Sequence, residues 1–160
     1  MIKVNIGLLE KQPQDLEGEE PPEFLDIEPS SSLAILSGVQ YRLHASLVSQ
    51  NVLIQGAFSY RIGGTCGRCL QEVEQVVDVD DLTLYVENPG VEELDVSNDF
   101  REEVLLALPV NLLCSEDCAG LCPHCGADRN VTDCGCVPPE ITAPEPEDNP
   151  WAALDELKLQ

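Results

Sequence analysis

The sequence predicts an α+β fold: an antiparallel β-meander forming a small barrel-like sheet, then a helix, a cysteine-rich segment and a short C-terminal helix. Three observations lead there. Between Val39 and Val86 apolar residues alternate with polar ones, the period-two pattern of half-buried strands. Over "SNDFREEVLLALP" the apolar spacing becomes that of a helix face. The stretch "LCSEDCAGLCPHCGADRNVTDCGC" then packs six of the eight cysteines into residues 113–136. At 160 residues the chain suits one domain, or one domain with a small appended module. Aromatics are only 4% of it, so the core is expected to be aliphatic. The expected organisation is a β-rich domain over 1–112, the cysteine-rich segment 113–136 packed on it, and a Pro- and Glu-rich linker with a short helix over 137–160.

Taken in order, "IKVNIGLL" at residues 2–9 alternates well enough for a short strand. Residues 10–32 are rich in Glu, Pro and Ser and read as an acidic, mobile linker, with Phe24 to Ile27 packing locally. Val39, Tyr41, Leu43, Ala45 and Leu47 share one parity, and Val52, Ile54, Phe58, Tyr60 and Ile62 repeat it. Two strands are expected there, with "GGTCGRCL" as the turn into a third. That third strand carries Val73, Val77 and Val79, then Leu82, Leu84 and Val86. His44 falls on the polar parity of its strand and is expected to be exposed. Asp99 with Glu102 three residues on suggests a capping box. Phe100, Val104, Leu105 and Leu108 fall on one face of the helix that Pro109 ends. Last, in "NPWAALDELKLQ", Asn149 caps, Pro150 takes the first helical position, and Trp151, Leu154 and Leu157 form an apolar stripe. Such a short helix is unstable alone, so its stripe is expected to dock on its own domain or on a partner.

Thirty acidic residues face eight basic ones, a formal charge of −22. No compensating patch exists: residues 65–98 hold nine acids against Arg68 alone. Binding a bare phosphate backbone needs clustered Lys and Arg, so direct RNA binding is not expected, whereas the field of such a chain draws basic partners. "MIKVNIGLLEKQPQD" has no apolar run suited to a signal peptide and no later stretch approaches a membrane span, so a cytoplasmic location is expected.

In a reducing compartment cysteines in CxxC pairs point to metal before disulfides. Zinc takes four soft ligands in a tetrahedron, and turns of the CxxC type present thiolates to it. Cys122 and Cys125 form one such knuckle, with Gly126 freeing the turn, and Cys134 with Cys136 would close that site. Cys66 and Cys69 form the other, to be completed by Cys114 and Cys118. One or two structural zinc ions are therefore expected. An iron–sulfur cluster would use other spacings, and a thioredoxin-like dithiol would open a helix after a strand. His124 lies inside a knuckle and is expected to face solvent. The chain has no GxSxG, HExxH or phosphate-loop motif, and no catalytic residue is expected.

"CGRCL" after a meander, "EEVLLALPVNLLCSEDCAGLCPHCGADRN" with its trailing "CGC", and the closing "NPWAALDELK" together resemble the YceD family, the large ribosomal RNA subunit accumulation proteins, from about Val39 to Lys158. The resemblance implies a non-enzymatic factor in ribosome biogenesis. Joined to the acidic charge, it suggests action through a basic ribosomal protein or a pre-ribosomal large-subunit particle, with no small-molecule substrate and no membrane. Asp78, Asp80 and Asp81, together with Trp151, Leu154 and Leu157, are the expected partner-binding residues. Two alternatives stand beside this reading: a nucleic-acid-binding zinc ribbon, which would need basic residues around the knuckles, and a thiol or zinc redox enzyme.

Overall fold

The structure is a computed structural model that describes residues 1–137 apart from 29, 31, 88 and 89. The expected helix of Trp151, Leu154 and Leu157 lies outside the described residues. Two compact units divide the chain, Met1–Gly120 and Leu121–Gln160. The division cuts the cysteine-rich stretch, so Cys114 and Cys118 belong to the first unit and the last four cysteines to the second.

In the first unit, β1 (Lys3–Asn5) leads into a one-turn helix, α1 (Ile6–Leu9). The strand expected over 2–9 stops early because Asn5 caps that helix, its Oδ1 accepting from the Leu8 amide at 2.9 Å. β2 (Gln14–Glu20) and a 3₁₀ turn (Pro22–Leu25) follow. Within the stretch expected to be a linker, Gln14–Glu20 is thus a strand and Pro22–Leu25 a turn. Local composition hid this strand, because β2 is "QDLEGEE" and owes its order to non-local pairing along β4, from Gln14 opposite Ala45 to Glu20 opposite Val39. The turn, as expected near Phe24, packs locally: Leu25 is fully buried, and its carbonyl accepts from the Arg101 guanidinium at 2.9 Å.

β3 (Ala34–Ile35), β4 (Val39–Val48), β5 (Asn51–Thr65) and β6 (Glu72–Val86) complete a five-stranded antiparallel sheet with β2. β5 is its centre, flanked by β4 and β3 on one side and β6 on the other. Among the described residues no pairing joins β2 to β6, so the barrel-like sheet stays open. The expected parity holds: Val39, Leu43, Ala45, Val52, Ile54, Phe58, Tyr60 and Ile62 are all buried. Ser49 and Gln50, both at positive φ (52° and 74°), make the two-residue turn between β4 and β5. In β6 the buried parity switches between Val77 and Leu82, and the register shifts there: Gly56 pairs with Leu82 but Phe58 with Val79. This β-bulge places Asp80 and Asp81 on the same short stretch, both exposed. Gly56 is required opposite it, since a Cβ at that position would collide with the Arg42 carbonyl.

β7 (Glu93–Asp95) pairs with β1, and α2 (Ser97–Leu106) follows. The capping box at Asp99 does not form. The helix begins two residues earlier, where Asp95 Oδ1 accepts from the Ser97 amide at 2.9 Å and Ser97 Oγ accepts from the Ile2 amide at 2.7 Å. Phe100 and Val104 are fully buried, and Tyr60 donates its hydroxyl hydrogen to the Val104 carbonyl at 2.9 Å. That bond seats α2 on the core face of the sheet.

Candidate metal centres

Each knuckle is a tight turn closed by its own backbone. In the first, the Cys66 amide donates to the Gln71 carbonyl at 2.8 Å and the Leu70 amide to the Cys66 carbonyl at 2.9 Å. In the second, the Cys122 amide donates to Ala127 at 2.8 Å and the Gly126 amide to Cys122 at 2.9 Å. The two turns share one pattern, four and five residues apart. It requires a left-handed residue after the second cysteine: Leu70 at φ 63° in one, Gly126 at φ 73° in the other. Leucine is the wrong residue for that backbone, and its side chain is 64% exposed. Leu70→Gly is accordingly expected to stabilise the first unit by about 0.5–1 kcal/mol, the left-handed penalty less the extra chain entropy of glycine. A lowered urea midpoint would contradict it.

The first turn joins β5 to β6 and meets the segment after α2. The Gly67 amide donates to the Leu112 carbonyl at 2.8 Å, and the Arg68 guanidinium donates to the Glu116 and Cys118 carbonyls at 3.0 and 3.1 Å. These bonds bring Cys66, Cys69, Cys114 and Cys118 together, every sulfur within 4.8 Å of the others. Cys66 lies 3.8 Å from Cys118 and Cys69 lies 3.6 Å from Cys114. A disulfide would bring two sulfurs to about 2.05 Å. A tetrahedron of metal–thiolate bonds near 2.3 Å has edges of about 3.8 Å. The spacing fits the tetrahedron. Cys122, Cys125, Cys134 and Cys136 form a second such group in the other unit, also within 4.8 Å. These are the two groupings that the sequence spacing suggests. His124 stands exposed beside the second, outside its set of four.

Electrostatics argue the same way. The amides of Cys69 and Arg68 aim at Cys66 and pull its thiol down to about 6, so it is a thiolate at neutral pH. Cys69 behaves oppositely. The Gln71 amide favours its thiolate, but burial and the sulfurs of Cys66, Cys114 and Cys118 outweigh that and push it up to about 12. In the second group the amides of Cys125 and His124 pull Cys122 down to about 6, while the thiols of Cys125, Cys134 and Cys122 raise Cys136 to about 12. Four thiolates cannot crowd together uncompensated, and a cation among them removes the conflict. Both groups could hold a metal ion. Three ligands of the first are buried, Cys66, Cys69 and Cys118, against Cys122 alone in the second.

Of the other expected site residues, Asp78, Asp80 and Asp81 stand exposed along β6. His44 is half exposed on the outer face of β4, 2.6 Å from Asp15 Oδ1. Arg101, which the sequence offered only as one of eight bases, ties α2 to the 3₁₀ turn. No helix among the described residues is long and apolar enough to cross a membrane.

Residues 80–158 match the family model described as large ribosomal RNA subunit accumulation protein YceD. A Zea mays protein, "Large ribosomal RNA subunit accumulation protein YCED homolog 1, chloroplastic", is 31% identical over 86 residues, covering 52% of this chain and 28% of its own length. The Arabidopsis thaliana protein of the same name is 32% identical over 72 residues, covering 45% of this chain and 21% of its own. A Mycobacterium tuberculosis protein named only as uncharacterized is 33% identical over 99 residues, covering 52% of this chain and 48% of its own. This chain thus spans about half or less of the curated relatives it matches. No solved structure matches it. The matched stretch holds α2 and six of the eight cysteines, and over residues 80–158 the chain is similar to the YceD family.

Proposed function

We propose that this protein is a non-catalytic factor in the accumulation of large-subunit ribosomal RNA, held in shape by two structural zinc ions, and that it acts by engaging a basic ribosomal protein or an assembling large-subunit particle. The pathway is supported by the similarity to the YceD family and by the names of the maize and Arabidopsis relatives. Zinc is favoured by four-thiol groups with tetrahedral edges, and four cysteines complete the coordination shell without an open position for a substrate.

The observation that carries the partner's chemistry is the exposed acidic row of β6: Glu72, Glu74, Asp78, Asp80 and Asp81. A row of acids repels phosphate and attracts lysine and arginine. The nucleic-acid-binding zinc ribbon gains nothing from the first knuckle, because the one arginine within it, Arg68, spends its guanidinium on the Glu116 and Cys118 carbonyls.

The test is a deletion strain, in which large-subunit RNA should fall relative to small-subunit RNA and return with the intact gene. Asp78→Lys, Asp80→Lys and Asp81→Lys combined should slow association with the particle about tenfold at low salt, while urea stability moves by about 0.5 kcal/mol or less per site. Association of the unaltered protein should weaken as ionic strength rises. Normal large-subunit RNA in the deletion strain would refute the proposal.

A further inference from the structure

We infer that the outer edge of β6 accepts an extended segment of the partner as an added β-strand, and that this segment alternates basic with apolar side chains. The inference rests on the reading that the partner is a basic protein and says where and how it is held.

β6 runs fifteen residues, Glu72–Val86, which at about 3.4 Å per residue is on the order of 50 Å of strand. It pairs with β5 along nearly its whole length, and among the described residues nothing pairs with its other side. An edge this long presents a ladder of backbone donors and acceptors, a template for another strand. Its two faces differ. From Glu72 up to the bulge at Asp80, Glu72, Glu74, Asp78 and Asp80 occupy alternate positions on the outer face, each exposed, interrupted by Val76 at 58% exposure. A second copy of this chain would set these acids against their own kind, so the row opposes self-pairing. The same row sits opposite the outward side chains of an added strand, where lysine and arginine find partners.

Beside Val79 to Thr83 the core-facing side of this edge is largely apolar and roofed. α2 lies over it, leaving a groove of about 360 Å³ floored by Phe58, Val79 and Leu82, with Leu106 overhanging. Leu106 is 77% exposed, a large apolar side chain left in water. Asp81 and Glu103 rim the groove. A strand laid along β6 would turn its core-facing side chains into this groove where it passes Val79 to Thr83, and those must be apolar. The remaining side chains would meet the acidic row. Charge on one face and an apolar groove on the other together call for a strand of alternating character.

The test uses the full-length, zinc-loaded protein and a dye-labelled ten-residue peptide alternating lysine and valine, followed by fluorescence anisotropy. A peptide of equal composition with its lysines in one block and its valines in another controls for charge. Two further versions carry N-methyl groups on one or the other set of alternate amides. In an added strand one set donates to β6 and the other points away. The alternating peptide should bind, and methylating one set but not the other should weaken it by about tenfold or more, as the loss of several hydrogen bonds implies. β6 amides should gain protection from hydrogen exchange on binding, and Leu106→Lys should weaken the peptide's hold.

Equal binding of the block or of both methylated peptides would reduce the effect to charge attraction and overturn the inference. Protection appearing on β2 instead, or a dimer of this chain through β6 that excludes the peptide, would overturn it as well. If the peptide fails while the protein still joins large-subunit particles, only the strand-addition inference falls. If the peptide binds while the deletion strain keeps normal large-subunit RNA, the edge stands and the ribosomal reading falls.

Discussion

Cys66→Ser is expected to leave purified protein with one zinc in place of two and to cost the Met1–Gly120 unit about 4 kcal/mol or more, the range that loss of a structural metal reaches. Cys66 is fully buried at the turn between β5 and β6, and its sulfur faces Cys118, 52 residues later. A metal held there would therefore close a long loop. It would fasten the segment after α2 to the far end of the longest hairpin, where single hydrogen bonds, such as Gly67 to Leu112, would otherwise remain among the described residues. Serine keeps the volume but is a poor ligand for zinc, and the three remaining sulfurs cannot complete the tetrahedron. Metal analysis and urea unfolding read the two effects together. Cys122→Ser should also remove one zinc, from the second unit, leaving the Cys66 group loaded. Acidification should empty both. Zinc binds the thiolate form of each cysteine, so protons compete with it for all four sulfurs and its release should increase as pH falls. A Cys66→Ser protein with two zinc ions and an unchanged urea midpoint would remove the first group from the account.

What the sequence made legible was whatever repeats locally. The period-two runs of β4 and β5 needed no partner to be seen, and even the bulge in β6 was written as a change of parity between Val79 and Leu82. The cysteine groupings were legible for a similar reason: CxxC turns announce themselves, and only two looser pairs remained to complete them. Non-local features were not. β2 offers only Leu16 as a large apolar residue, so nothing in "QDLEGEE" distinguishes a strand from a linker until β4 lies beside it. The opening strand was overread because Ile6 continues the alternation of Ile2 and Val4, although Asn5 caps a helix at that point. The start of α2 was misplaced because Asp99 and Glu102 have the spacing of a capping box, while Asp95 and the Ile2 backbone set the true beginning. Barrel closure depends on whether the outermost strands meet, and no local pattern encodes that.

Phe100→Ala should be the most damaging core substitution, costing about 3–5 kcal/mol. Phe100 is fully buried on the inner face of α2, in a core otherwise built mainly of Leu, Val and Ile. Its ring stands edge-on to Tyr41 at 5.4 Å and to Phe58 at 5.6 Å, and lies 6.2 Å from Phe24 at a tilt. One side chain thus ties four elements together: α2, β4, β5 and the 3₁₀ turn. Alanine removes the ring's transfer energy, leaves a cavity, and forfeits three aromatic contacts worth about 0.5–1.5 kcal/mol each in favourable geometry. The cavity is slow to collapse, because Arg101 holds α2 to the turn at the Leu25 carbonyl and Tyr60 holds it to the sheet at Val104. In urea the midpoint should fall by about 2 M with an unchanged slope, given a slope near 2 kcal/mol/M for a unit of this size. Phe100→Leu should fall between, since it refills most of the volume but restores no ring contact. A loss under about 1 kcal/mol for Phe100→Ala would mean that α2 does not pack on the sheet through this ring, and the groove beside Leu106 would lose its roof.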